Sequence, residues 1–203
     1  MTGQTAQPAT IYSIGHSNHP IERFVGLLRG ARIEAVLDVR SVPKSRRFPQ
    51  FGRAPLEETL AANGIDYVFL GDSLGGKPRD PAVRRDGVVD YELIAATAVF
   101  KQGLERVAGE GERRRAALMC AEKAPLDCHR TVLIARRLVD RGHEVTHLLA
   151  DGTEMAHTMI EEELLKRYAP ADDLLLATES RDTRLAIAYR RRGEQMLGAT
   201  SRR

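Results

Sequence analysis

Ile33-Glu34-Ala35-Val36-Leu37-Asp38-Val39 decides the fold. Its apolar residues run together instead of alternating, which marks a strand covered on both faces. Upstream, Ile11 to Ile14 is a second short apolar run, closed by Gly15-His16-Ser17-Asn18. Pro20 then opens a helix with Ile21, Phe24, Leu27 and Leu28 on one face. Downstream, Pro55 to Ala62 reads as a helix ended by Asn63-Gly64, and Ile65 to Leu70 as a strand. Residues 77–90 form an irregular excursion rich in Pro, Gly, Arg and Asp. A helix follows over Tyr91 to Ala108, with Gly109 and Gly111 where it should stop. Ala116 to Cys120 is a strand, Asp127 to Asp140 a helix, Val145 to Leu149 a strand and Glu154 to Tyr168 a helix. This alternation predicts an α/β domain over residues 11–170, with about five mainly parallel strands and helices on both faces. Residues 1–10 read as a flexible N-terminus. Residues 171–203 read as a basic C-terminal extension, a packed helix followed by a disordered end carrying Arg202-Arg203.

Composition narrows the function classes. The 203 residues are 42% hydrophobic and 29% charged, enough for one substantial core. No run of eighteen apolar residues offers a membrane span, and Met1 to Thr10 lacks a secretory pattern, so a cytoplasmic protein without a membrane partner is expected. Two cysteines make no disulfide scaffold. A net charge of +3 permits nucleic acid as a partner without requiring it.

In open α/β sheets, ligands bind outside the carboxyl ends of the strands. The first strand delivers His16 and Ser17 there, the second Asp38, Arg40 and Ser41, the third Gly71, and the fourth Cys120, Glu122 and Lys123. Asp38 interrupts an apolar strand, where a carboxylate is costly unless paired. A buried pair with Arg40 and a catalytic role are both open to it. Ser41 to Arg53 then carries four cations and no acid, interleaved with Phe48 and Phe51. Within it Lys44, Ser45, Arg46 and Arg47 suit phosphate contact.

The densest polar segment is Cys120-Ala121-Glu122-Lys123-Ala124-Pro125-Leu126-Asp127-Cys128-His129-Arg130. Asp127 reads as an N-cap that places Cys128, His129 and Arg130 on a first helical turn. Three chemistries compete: a thiol enzyme using Cys128, a metal site of Cys120, Cys128 and His129, and an anion cradle in which Glu122 is the acid or base. A cysteine phosphatase loop does not fit, because Cys120 to Arg130 is too long an arc and Cys128 to Arg130 too short. Tight cysteine pairs of the structural-zinc kind are missing, so the cradle is favoured and no metal is expected. No GxGxxG opens a helix, so no dinucleotide cofactor is expected either.

Taken together, Ser13-Ile14-Gly15-His16-Ser17, Asp38-Val39-Arg40-Ser41-Val42-Pro43-Lys44-Ser45-Arg46, Leu70-Gly71 with Leu74-Gly75-Gly76, and Cys120-Ala121-Glu122 with Cys128-His129-Arg130 resemble the bacterial and archaeal "domain of unknown function 488" family. The resemblance covers roughly residues 11–150. It implies that these motif residues form the site, and it associates the chain with modified DNA bases, including glycosylase activity on 5-hydroxymethyluracil.

The leading expectation is therefore a DNA glycosylase acting on a duplex that carries a modified base. Asp38 or Glu122 would supply the carboxylate, and Lys123 the amine of a lyase variant. Arg40, Ser41, Lys44, Ser45, Arg46, Arg47 and Arg130 would hold phosphates. His16, Ser17, Tyr67, Gly71, Cys120, Cys128 and His129 would line the pocket. The alternatives are a non-catalytic nucleotide or nucleic-acid module and a thiol- or metal-dependent hydrolase. No obligate protein partner is evident.

Overall fold

In the computed structural model the apolar runs become the middle of one sheet. The structure describes residues 9–171, 173, 176 and 178–200; residues 1–8 of the expected flexible start and the final Arg202-Arg203 lie outside the described residues, whereas Ala9 is buried and Thr10 already belongs to the sheet. Strands β1 (Thr10–Gly15), β2 (Ala35–Asp38) and β3 (Asp66–Phe69) alternate with helices α1 (Ile21–Gly30) and α2 (Arg53–Ala62). After β3 come α3 (Gly71–Leu74), a hairpin of β4 (Arg84–Arg85) and β5 (Val88–Val89), α4 (Tyr91–Ala96) and α5 (Ala98–Arg113). Next are β6 (Ala116–Cys120), a π-helical stretch (Arg130–Ala135) running into α6 (Arg136–Val139), β7 (Glu144–Leu148), β8 (Glu154–Ala156), α7 (His157–Tyr168) and α8 (Arg181–Thr200).

The six-stranded sheet has the order β3-β2-β6-β1-β7-β8, parallel except where β8 runs against β7. Its alternating side chains feed two cores. Ile11, Leu37 and Leu118 pack with Phe100, Leu104 and Val107 of α5, and with Leu133 and Leu138. Tyr12, Ile14, Val36 and Met119 pack with Phe24 and Leu28 of α1 and with Leu56 and Leu60 of α2. The chain leaves β1 toward β2 on one side and leaves β6 toward β7 on the other. The order therefore reverses between β1 and β6, the place where such sheets open a crevice. Gly15 and Cys120 face each other there. No helix among the described residues is long and apolar enough to cross a membrane.

Several local expectations are corrected. The helix predicted over Tyr91–Ala108 breaks at Thr97, whose backbone is extended and whose side chain caps α5 by accepting from the Phe100 amide. Gly109 and Gly111 do not end α5, which runs to Arg113; Gly111 lets it settle against Ile11 and Ala9 of the β1 edge. Residues 77–90 are not wholly irregular: Asp86 and Gly87, both at positive φ, turn the β4–β5 hairpin. Glu154 to Ala156 is the antiparallel edge strand rather than the start of a helix, because its backbone pairs with β7. The C-terminal helix is present as α8, with Tyr189 and Ala188 buried against Ile160 and Leu164 of α7.

Candidate active-site cleft

The carboxyl ends of β1, β2 and β6 open into a cleft of about 1260 Å³. One wall is the Ser41–Phe48 loop, the floor carries His16, Cys120, Cys128 and His129, and α8 supplies Arg192 and Gln195 opposite. Two glycines allow this convergence. A Cβ on Gly15 would overlap the Glu122 carbonyl, and one on Gly76 would strike the His129 ring. Ser17 turns away from β1 at a φ of 49°, and its amide donates to the Ala121 carbonyl. Strain of this kind gathers at functional sites.

Asp38 sits behind the cleft, fully buried. Its Oδ1 accepts from the Arg40 amide (3.1 Å) and Nε (2.9 Å), and its Oδ2 accepts from Arg40 Nη2 (2.5 Å) and the Tyr67 hydroxyl (2.7 Å). Arg40 Nη1 also donates to the Phe51 carbonyl and to His16 Nε2. His16 Nδ1 donates to the Ser17 carbonyl, which fixes the tautomer. Burial, then the Arg40 charge, lowers the His16 pKa to about 4, and the ring stacks on Phe51 with centroids 4.2 Å apart. Burial and then the Asp38 charge push the Tyr67 phenol up. Every acceptor site of Asp38 that faces the protein is thus occupied, so the carboxylate anchors Arg40 and does not reach the cleft.

Other expected residues divide in the same way. Ser41, Lys44, Ser45 and Arg47 line the cleft, the Arg47 guanidinium lying 5.5 Å from the centre of the Phe48 ring. Arg46 is exposed but is not among the lining residues. Arg130 is not among the lining residues. It is buried, its Nη1 and Nη2 donating to the Glu122 and Lys123 carbonyls, so it shapes the 120–130 loop from behind. Gly71 begins α3 beside the Arg40 carbonyl, outside the cleft. Lys123 faces a separate, smaller cavity with Leu149 and Met155.

The 120–130 loop is not the helical turn expected. Pro125–Asp127 forms a single 3₁₀ turn, and Cys128 is extended, its carbonyl accepting from the Thr131 and Val132 amides. Cys128 therefore takes the N-terminal capping position expected of Asp127. Asp127 is drawn outward to Arg192 Nη2 at 2.6 Å. This geometry turns both sulfurs toward His129. Cys120 Sγ and Cys128 Sγ each lie 3.8 Å from His129 Nδ1, and His129 Nε2 donates to the Val39 carbonyl at 3.0 Å. Burial alone would raise the Cys128 thiol, but Cys120, Arg130 and His129 hold it well below its ordinary value. The bond to Cys128, together with burial, pushes Cys120 up. Among the described residues, Cys120, Cys128 and His129 form the one cluster of donor atoms close enough together to hold a metal ion.

Residues 20–137 match the family model described as "Domain of unknown function DUF488". The chain belongs to this family. No curated protein and no solved structure matches it. Within the DUF488 match lie the Asp38–Arg40 pair, the basic loop and the Cys120–Arg130 segment; His16 and Ser17 precede it, and α8 follows it.

The sequence reading missed Lys77, Tyr91, Arg192 and Gln195, all of which line the cleft. A signal existed for α8. Leu185, Ala188, Tyr189, Arg192 and Met196 recur at helical spacing, which marks a packed face rather than a solvated tail. Nothing comparable announces Lys77, which reaches the site by the fold alone, its amide donating to Ser41 Oγ.

Proposed function

We propose that this cleft removes a modified or damaged base from duplex DNA by hydrolysing its glycosidic bond, with Glu122 as the working carboxylate. The observation that supports this reading most is an imbalance of charge. Glu122 is exposed in the cleft and makes no ion pair among the described residues. Lys44, Arg47 and Lys77 line the same cleft, again without a carboxylate partner among the described residues. Arg40 and Arg192, by contrast, are matched to Asp38 and Asp127. Unmatched cations around a free carboxylate suit a polyanion whose reacting centre develops positive charge.

A strand of DNA presents such a polyanion. Lys44, Arg47 and Lys77 would take successive phosphates, and the hydroxyls of Ser41 and Ser45 would fix register. An extruded nucleotide fits, since the cleft exceeds the roughly 300–1,000 Å³ of ordinary small-molecule pockets. Glu122 would steady the oxocarbenium-like sugar and take a proton from the attacking water. The electron pair of the broken C1′–N bond leaves with the base, which is then protonated. Ser17 and Asn18 offer hydrogen bonds to the base edge, and neutral His16, both of whose ring nitrogens are already engaged, supplies part of the floor. Lys123 faces the smaller cavity, so it is not placed to form a Schiff base with the sugar.

Purified protein incubated with duplexes carrying single modified bases, 5-hydroxymethyluracil among them, tests this. Alkali-labile abasic sites should appear, and Glu122→Gln should stop their formation while the duplex is still bound. Salt-sensitive binding without release from any duplex would favour a non-catalytic module. Loss of release in Cys128→Ser but not in Glu122→Gln would favour a thiol enzyme.

A further inference from the structure

Cys120 ends β6, Cys128 lies two residues before the π-helical stretch, and His129 lies directly before it. Their donor atoms all lie within 4.8 Å of one another, and all three residues are buried. The hydrogen bond from His129 Nε2 to the Val39 carbonyl commits the ring proton to that nitrogen. Nδ1 is left with its lone pair available, 3.8 Å from each sulfur. An imidazole whose outer nitrogen is tied to a backbone carbonyl is the usual arrangement for a metal ligand. Zinc bonds of about 2.3 Å to sulfur and about 2.0 Å to nitrogen, at tetrahedral angles, set neighbouring donors roughly 3.5–3.8 Å apart. Each sulfur already stands 3.8 Å from the imidazole nitrogen, and the two sulfurs lie within 4.8 Å of each other, so small side-chain adjustments reach that spacing. Gly76 contributes by its missing side chain, since a Cβ there would push the His129 ring out of position.

We propose that Cys120, Cys128 and His129 form a three-ligand site for a thiolate-preferring divalent ion of the zinc class. Its fourth position opens on the cleft beside Glu122. Two sulfurs and an imidazole select zinc over magnesium or calcium, which want oxygen donors. All three residues line the cleft, so the site is not sealed as a structural zinc site is. Glu122 Oε2 lies 3.6 Å from Cys120 Sγ, close enough to meet a water in the open position. A zinc ion there would supply a water acidic enough to ionise near neutral pH. The wide sequence gap between Cys120 and Cys128 hides the site, because the 3₁₀ turn at Pro125–Asp127 folds the intervening loop back on itself.

This inference does not rest on the glycosidic reading and is read out without any substrate. Full-length protein, reduced and freed of metal by chelator, is titrated with cobalt(II) while its near-ultraviolet and visible absorption is followed. Zinc content is measured separately on protein as purified. One ion per chain is expected, with thiolate-to-cobalt charge-transfer absorption and the intense visible bands of four-coordination. Cys128→Ser and His129→Ala should each weaken binding by about 100-fold or more, since even residues behind the ligands matter 10- to 100-fold. Glu122→Gln should bind cobalt with the same stoichiometry and the same charge-transfer band.

Folded, reduced wild-type protein that takes up no cobalt, or takes it up without charge-transfer absorption, would overturn the proposal. So would a folded Cys128→Ser variant that binds as tightly as wild type. If the ligand variants do not fold, the wild-type spectrum decides alone. Loss of the ion in Glu122→Gln would overturn the open fourth position and make that carboxylate a ligand.

Discussion

Asp38 and Glu122 are carboxylates at the carboxyl ends of neighbouring strands, and their surroundings are opposite. Asp38 accepts four hydrogen bonds, three of them from Arg40, and is sealed from solvent. Glu122 has no ion pair among the described residues and faces a cleft rimmed by unmatched cations. A saturated charge holds structure, because moving it would leave its partner buried and alone. A charge left unsaturated at an opening is available to a ligand. The sequence offers both acids as equal candidates, and only their neighbours separate them.

The comparison breaks first at stability. Asp38→Ala leaves Arg40 buried without its counter-charge and should cost ~3–5 kcal/mol in urea denaturation. Glu122→Gln should stay within about 0.5 kcal/mol of wild type. Equal losses would erase the distinction.

A second saturated network sharpens it. Ser13 Oγ, His147, His157 and the Tyr189 hydroxyl form a buried chain with separations of 2.7, 2.9 and 2.7 Å, joining β1, β7, α7 and α8. Burial lowers the His157 pKa to about 4 and holds His147 well below 6.5, with neighbouring His157 and Arg130 adding to the effect on His147. The neutral rings therefore contribute stability that is fully present above pH 6.5 and is lost as pH falls toward 4. For His157 that amounts to roughly 3 kcal/mol. Denaturation midpoints measured across this window should fall steeply, and His157→Gln should flatten the fall. An unchanged pH profile in that variant would remove His157 from the account.

The cleft cations should act more gently. Lys44→Ala and Arg47→Ala are each expected to lower the slope of log K against log salt for duplex binding by about 1, with little change in stability. Lys123→Met, whose side chain lies outside the cleft, should leave both the slope and base release unchanged.

Much of the fold was legible because it depends on local pattern. The apolar runs at Ile11–Ile14, Ile33–Val39 and Ala116–Cys120 could be little else than covered strands, and they bring their polar successors to one edge. What stayed hidden depended on backbone detail. Asp127 resembles a cap and makes Cys128 look helical, whereas Cys128 is extended and its sulfur joins that of Cys120 beside His129. Arg130 on an expected first helical turn reads as a fork for phosphate beside free amides; its burial against the Glu122 and Lys123 carbonyls is a tertiary fact. Lys77 and Arg192 come from distant segments, which no local signal joins to the site.

The central claim is that Glu122, not Asp38, performs the chemistry of this cleft. Single-turnover base release from a modified-base duplex, measured with binding on the same Glu122→Gln sample, tests it most directly. Release should fall by about 10²–10⁴-fold, the usual contribution of a positioned acid or base, with the duplex still bound. Release at the wild-type rate by the folded variant would contradict the account.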